Sequence, residues 1–301
     1  MFSPARRANK RWLLVGTVVA LVCAGTFTRS ALEPVRQSSS RRPVELKRVH
    51  VPSPPIRLLF PRRPTSTELE LARLLRLRLP IYCGGRRTHD VALTFDDGPG
   101  PYSQLALRIL HHARAHATFF VVGRELQYWP SIPKEELRLA ALGDHTWTHR
   151  MLTWLGNDIV RTELARTANT VERTTEDRLV LFRPPYGATN ARIVRDAAAL
   201  GMVEILWSID TRDSEGASWL QIAANVSRFV QGGSIILMHE NHGQTIRALK
   251  FKILPLLHAR HLVTVTVPQL LTRDPPTKSQ LSRGLSGCYG PHQAMPGLAN
   301  R

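Results

Sequence analysis

Two aspartates stand side by side at Asp96 and Asp97, followed by Gly98 and Pro99. Neighbouring carboxylates repel, so a turn that carries both calls for a compensating positive charge, either a bound cation or an arginine. A solvated turn or helix cap is the plainer alternative. His145 and His149 are four residues apart, a spacing at which two imidazoles can face one cation from a helix or a tight loop. Such a pair is nonetheless more common on a surface or in a core. Arg183, ahead of Pro184 and Pro185, and His239, closing the run Ser234 to Met238, are further charged or titratable groups at the ends of apolar stretches. Carboxylates, imidazoles and a guanidinium are the groups from which cation sites and acid–base pairs are made.

The elements that must position them form a regular series. Short β-branched or aromatic runs at 91–95, 117–122, 179–182, 203–207, 234–238 and 262–267 read as strands. Between them, 105–112, 158–171, 191–200, 220–230 and 246–257 carry apolar residues at helical spacing, with Gly201 and Gly232 where helices should end. A weak apolar stretch at 139–142 is a further short strand candidate ahead of His145. Strand–helix alternation argues a parallel sheet with helices outside, and about seven units bring it close to a distorted (β/α) barrel. Asp96 and Asp97 follow the first strand, Arg183 to Gly187 the third, Asp210 and Asp213 the fourth and His239 the fifth. Carboxyl ends of parallel strands are where α/β folds build their sites, so residues more than a hundred positions apart can meet there.

The motifs TFDDGP (94–99), HTWTH (145–149), RPPYG (183–187), DTRD (210–213) and LMH (237–239) occur in an order that resembles the polysaccharide deacetylases, the carbohydrate esterases built on the chitooligosaccharide deacetylase domain. The resemblance covers residues 88–272. It implies a divalent metal, zinc before cobalt or another ion, held by Asp97, His145 and His149. It implies Asp96 as the general base that takes a proton from the attacking water, with Arg183 paired to it. The backbone N–H of Tyr186 is implied in holding the oxyanion, and His239, oriented by Asp213, in protonating the departing amine. The expected reaction is release of acetate from N-acetylated amino sugars of peptidoglycan or a chitin-type polymer. A carbohydrate-binding pseudoenzyme and a polysaccharide O-acetyl esterase are the alternatives. This sequence departs from the family in carrying Ser214 where a tryptophan commonly follows the second aspartate of the fourth motif. Trp207 or Trp219 is left to fill that space, and Glu240 stands where an aspartate often follows the histidine.

The chain has 301 residues, 43% of them hydrophobic, which excludes a wholly disordered or collagen-like protein. Its formal charge of +18 is concentrated: residues 1–88 hold 18 basic and 4 acidic side chains, leaving +4 for the rest. A basic stalk near an anionic cell envelope fits that distribution better than a nucleic-acid-binding face. Arg6, Arg7, Lys10 and Arg11 precede a largely apolar run over 12–27, the layout of an export signal or a short membrane anchor. The expected division is therefore 1–30 signal or anchor, 31–87 linker with a short helix capped by Thr67 and Glu70, 88–272 catalytic domain and 273–301 tail. The domain would act outside the cell or at its surface. In an oxidising compartment Cys83 and Cys288 are placed to join the ends of the folded region, two free thiols being the alternative.

Overall fold

The computed structural model of the protein describes residues 63–289. The expected signal or anchor, most of the linker and the end of the tail lie outside the described residues. Among those described, no helix is long and apolar enough to cross a membrane.

Eight strands make one parallel sheet: β1 (Asp90–Gly98), β2 (Ala117–Val121), β3 (Ala140–Asp144), β4 (Leu181–Phe182), β5 (Val203–Glu204), β6 (Ile209–Asp210), β7 (Ile235–His239) and β8 (Val263–Thr264). Their order is β5-β4-β3-β2-β1-β7-β6, with β8 beside the start of β1. This is a seven-strand path curled into a half-barrel, not a closed barrel: β5 and β6 are edges that do not pair with each other. An extended stretch across the opening bridges both sides, Ile81 to Ile205 and Cys83 to Ser234.

Strand alternation sorts the core into two layers. Val91, Leu93 and Phe95 of β1, with Ala117, Phe119 and Val121 of β2, face one layer. That layer is supplied by α2 (Ser103–His112), α4 (Asn157–Thr175), α5 (Ala191–Ala199) and α6 (Trp219–Phe229), beyond the short α3 (Ile132–Glu136). Ala92 and Phe120, one residue out of phase, face the opposite layer, where α1 (Ser66–Leu77) and α9 (Val267–Arg273) supply Leu71, Leu74, Val267 and Leu270. Thr94 and Asp96 share this second orientation, which aims Asp96 into the curl of the sheet.

Several expectations are corrected. The first helix is capped by a box of Thr65 and Glu68, not Thr67 and Glu70; Thr67 bonds Thr272 on α9 and Glu70 pairs with Arg73. The compact fold also reaches past both expected domain limits, because α1 packs on α9 and α10 (Lys278–Arg283) follows it. Gly201 has the left-handed φ expected after a helix, but near residue 232 it is Gly233 that adopts it, φ 85°, while Gly232 lies against the Thr88 carbonyl. The run 203–207 yields only the two residues of β5, and the chain re-enters the sheet as β6; the run 262–267 splits into β8 and the start of α9. The helix expected at 246–257 is α7 (Gly243–Ala248), a wide turn over Leu249–Ile253, and α8 (Leu254–Ala259). Pro255 lacks an N–H and cannot continue a regular ladder, which accounts for the widened turn just before it.

Cys83 and Cys288 are joined by a disulfide across 205 residues, buried beside Tyr289. A loop of that length gives the bond about 5 kcal/mol in the chain-entropy description. Replacing both cysteines by serine is therefore expected to lower the denaturant midpoint of the full chain markedly, and equal midpoints would show that the bond contributes nothing to stability.

Candidate active site

Asp96 lies opposite His239 in the register of β1 and β7, so two groups 143 positions apart in sequence are cross-strand neighbours. Asp97 follows at φ 71°, a left-handed turn that sends its carboxylate away from that of Asp96. The turn is held from below. Gly98 leaves no room for a side chain, since a Cβ there would fall onto the Glu240 carboxylate, and Asn241 donates to the Asp97 carbonyl at 2.8 Å.

His145 and His149 sit on a tight loop after β3, not on a helix. The loop is left-handed at Thr146 (φ 68°) and His149 (φ 57°). Asp144 accepts the Thr146 N–H at 2.7 Å, and Glu163 of α4 accepts both the backbone N–H and the hydroxyl of Thr148. The buried indole of Trp147 lies beneath Arg166, 3.9 Å from its ring. These anchors hold two unfavourable φ values that an isolated loop would relax.

The Arg183 carbonyl lies 2.8 Å from His145 Nδ1. A carbonyl only accepts, so Nδ1 carries the proton and the lone pair of Nε2 faces the site. Nε2 of His145 is 3.5 Å and Nε2 of His149 is 3.1 Å from Asp97 Oδ1. That oxygen is buried and has no hydrogen-bond donor. One atom from each of the three residues lies within 4.8 Å of the others. One carboxylate and two imidazoles around an orphaned oxygen fit a divalent cation, with coordination positions left for water and substrate. Burial alone would raise the Asp97 pKa, but the adjoining His145 and His149 outweigh it and hold the carboxylate well below its usual range.

Arg183 is wholly buried. Its Nη1 donates to Asp96 Oδ1 at 2.7 Å and to Thr94 Oγ1 at 2.8 Å, its Nε and Nη2 bond the carbonyls of Ile205 and Leu206, and its guanidinium lies 4.1 Å from the Phe120 ring. Burial pulls the Arg183 pKa down, and Asp96 opposes that pull. Asp96 Oδ2 remains toward the histidines, 3.7 Å from His145 Nε2. Tyr186 is left-handed too, φ 63°, and its exposed ring covers His149 at 4.8 Å. Gly187 beside it must be glycine, because a Cβ would come within 2.7 Å of the Trp207 ring.

On the other side of Asp96, His239 Nδ1 meets Asp213 Oδ1 at 2.7 Å, leaving Nε2 toward the site. Asp213 is fully engaged, its second oxygen accepting the His239 N–H at 2.7 Å and the Thr245 hydroxyl at 2.6 Å. Burial pulls the His239 pKa down, but the Asp213 hydrogen bond and charge, with Asp96 and Asp97 beyond, outweigh it and raise the imidazole to about 9. Glu240 is buried, accepts from Ser103 at 2.6 Å and is pushed up to about 8 by burial.

All eight residues expected from sequence thus converge on one end of the sheet. Of the two tryptophans left to fill the space opposite Ser214, Trp207 packs against the 183–187 loop, whereas Trp219 lies beneath Arg247 and Lys252. Ser214 itself is exposed. Thr94, beside Arg183, opens the first motif but had no role assigned to it there, and two further supporting groups had no signal in the sequence reading: Phe120 against Arg183 and Thr245 on Asp213.

Residues 84–205 match the family model described as polysaccharide deacetylase. Over 188 residues the chain is 33% identical to a peptidoglycan-N-acetylglucosamine deacetylase of Bacillus cereus, covering 60% of this chain and 87% of that relative. The chain belongs to the polysaccharide deacetylases. It spans a smaller share, 23% and 38%, of two longer relatives. Among solved structures, this deacetylase chain is similar to a family 4 carbohydrate esterase from Streptomyces lividans in complex with acetate. The TM-score is 0.57 at 33% identity, covering 62% of this chain and 95% of that one. It is also similar to a family pseudoenzyme from Bacillus anthracis, TM-score 0.61 at 28% identity, covering 64% and 68%.

Proposed function

We propose that this deacetylase hydrolyses N-acetyl groups on amino-sugar residues of a cell-envelope polysaccharide, peptidoglycan or a chitin-type oligomer, outside the cell, releasing acetate. The observation that carries the reading is the flanking of one Asp-His-His cluster by two charge-paired groups, Asp96 with Arg183 and His239 with Asp213. Asp97, His145 and His149 would hold the ion, most simply zinc, and a divalent ion bound there supplies Lewis-acid polarisation of the acetyl carbonyl.

The protein groups do the rest. Asp96 Oδ2 accepts a proton from the attacking water as its oxygen bonds the carbonyl carbon, while Arg183 holds the carboxylate charged and aimed. The backbone N–H of Tyr186 donates to the oxygen that gains charge. His239 Nε2 then gives its proton to the nitrogen as the C–N bond breaks, and Asp213 stabilises the imidazolium until that moment. Acetate and a free amino sugar leave.

An amide nitrogen departs poorly as an anion, whereas a good alcohol leaving group does not need full protonation. His239→Ala is therefore expected to slow amide substrates about a hundredfold and activated acetyl esters far less. Because the folded-state pKa is about 9, above the free value of 6.5, the imidazole stays charged through neutrality. Amide turnover should fall as pH rises through about 9, and the stability that this charge contributes should be lost over the same rise. Equal losses on both substrate classes would make His239 structural.

The full chain incubated with acetylated chitooligomers, peptidoglycan and acetylated xylan, with and without chelator, tests the whole reading. Acetate released from an N-acetylated substrate and abolished by chelator is the expected result. Glycan binding without acetate would make the protein a binding module, and release from xylan alone would make it an O-acetyl esterase.

A further inference from the structure

The catalytic groups occupy the carboxyl ends of the strands, and a second concentration of charge lies at the amino ends. There α2, the 113–116 turn, Lys250, α8 and β8 wall an open groove of about 980 Å³. Arg108, Arg114, Lys250 and Arg273 reach it, with His112, His116 and His258 beside them. Among the described residues no carboxylate lines the groove. Arg273 has Asp90 at 3.7 Å, but among the described residues Arg108, Arg114 and Lys250 have no ion-pair partner, and Lys250 rests on the Phe251 ring at 5.0 Å. Cations gathered without counter-charges repel one another and favour an anion between them.

The floor of the groove is apolar. Leu105, Ile109, Leu254 and Pro255 line it with Leu262 and Val263, and Leu105 and Val263 are 38% and 51% exposed. A wholly polar anion would leave that floor wet, and a wholly apolar ligand would cover cations without pairing them. An amphiphile with an anionic head satisfies both, its head among the basic groups at the rim and its chain on the aliphatic floor.

We propose that this groove binds an anionic phospholipid and seats the amino end of the sheet on a lipid surface. In a parallel sheet the two ends face opposite ways, so a domain resting on this groove turns its catalytic end away from the lipid, toward polymer. The site is independent of the reaction assigned above.

The test uses the full chain with vesicles carrying a diazirine-bearing phosphatidylglycerol or a diazirine-bearing phosphatidylcholine, the labelled peptides being mapped by mass spectrometry. Phosphatidylglycerol should label residues 105–116 and 250–263. In the double variant Arg108→Gln, Lys250→Gln the half-saturating lipid concentration for those peptides should rise about thirtyfold, from two surface cations removed. An unchanged melting midpoint in the variant shows that the fold is intact. Labelling confined to residues 1–62, equal labelling by phosphatidylcholine, or insensitivity to the double substitution would each overturn the proposal. Soluble polyphosphate protecting the groove in a protein that phosphatidylglycerol never labels would assign it to a polyanion instead.

Discussion

Asp97→Ala, His145→Ala and His149→Ala are each expected to remove bound metal and turnover together. Among the described residues these three side chains supply the whole cluster; the Asp97 oxygen there has no donor, and the His145 Nδ1 proton is committed to the Arg183 carbonyl, which leaves its Nε2 lone pair toward the same centre. Partners one step removed from a metal typically change affinity 10- to 100-fold, roughly, so loss of a ligand itself should cost more. Metal content measured by atomic emission on dialysed protein, beside acetate release, checks this. His149→Ala is the most exacting case, since His149 is partly exposed and its removal disturbs little packing. A variant that retains both metal and turnover would place its residue outside the site.

The neighbouring aspartate should behave differently. Asp96→Asn is expected to keep the metal and lose turnover by about 10²- to 10⁴-fold, the usual weight of a general base. Its carboxylate is committed to Arg183 at 2.7 Å and stands 3.7 Å from His145, so it is placed to receive a proton and not to ligate. The substitution also leaves a wholly buried guanidinium without its counter-charge, which costs about 3 to 5 kcal/mol when one partner of a buried pair is removed. Turnover must therefore be measured well below the lowered melting midpoint. Retained turnover would remove Asp96 from the chemistry, and loss of metal with it would show that the two aspartates exchange roles.

The convergence of the residues singled out in the sequence has a physical basis. Each motif is short because it spans only the carboxyl end of one strand and the turn that follows it. Alternation of strand and helix placed those turns on one side of a parallel sheet, as Asp96 opposite His239 demonstrates. The misplaced boundaries have a basis as well. β4, β5, β6 and β8 have two residues each, too few for period-two alternation to stand out. The run 203–207 is apolar because Ile205 belongs to the core beneath α1 and α9, not because it extends a strand.

Residue types, their order and the family resemblance they carry were sufficient to single out the candidate ligands, base and acid, which the fold brings to one end of the sheet. The curl of the sheet into an open half-barrel, the docking of residues 66–84 at its opening and the Cys83–Cys288 bond depended on contacts between distant segments. The same holds for the groups that make Asp96 and His239 usable: Thr94 and Phe120 close around Arg183, and Thr245 completes Asp213. A threonine hydroxyl or a phenyl ring has no distinctive spacing in a chain. Its role is set by which buried charge it meets, and burial is settled only when the sheet curls and the helices pack against it.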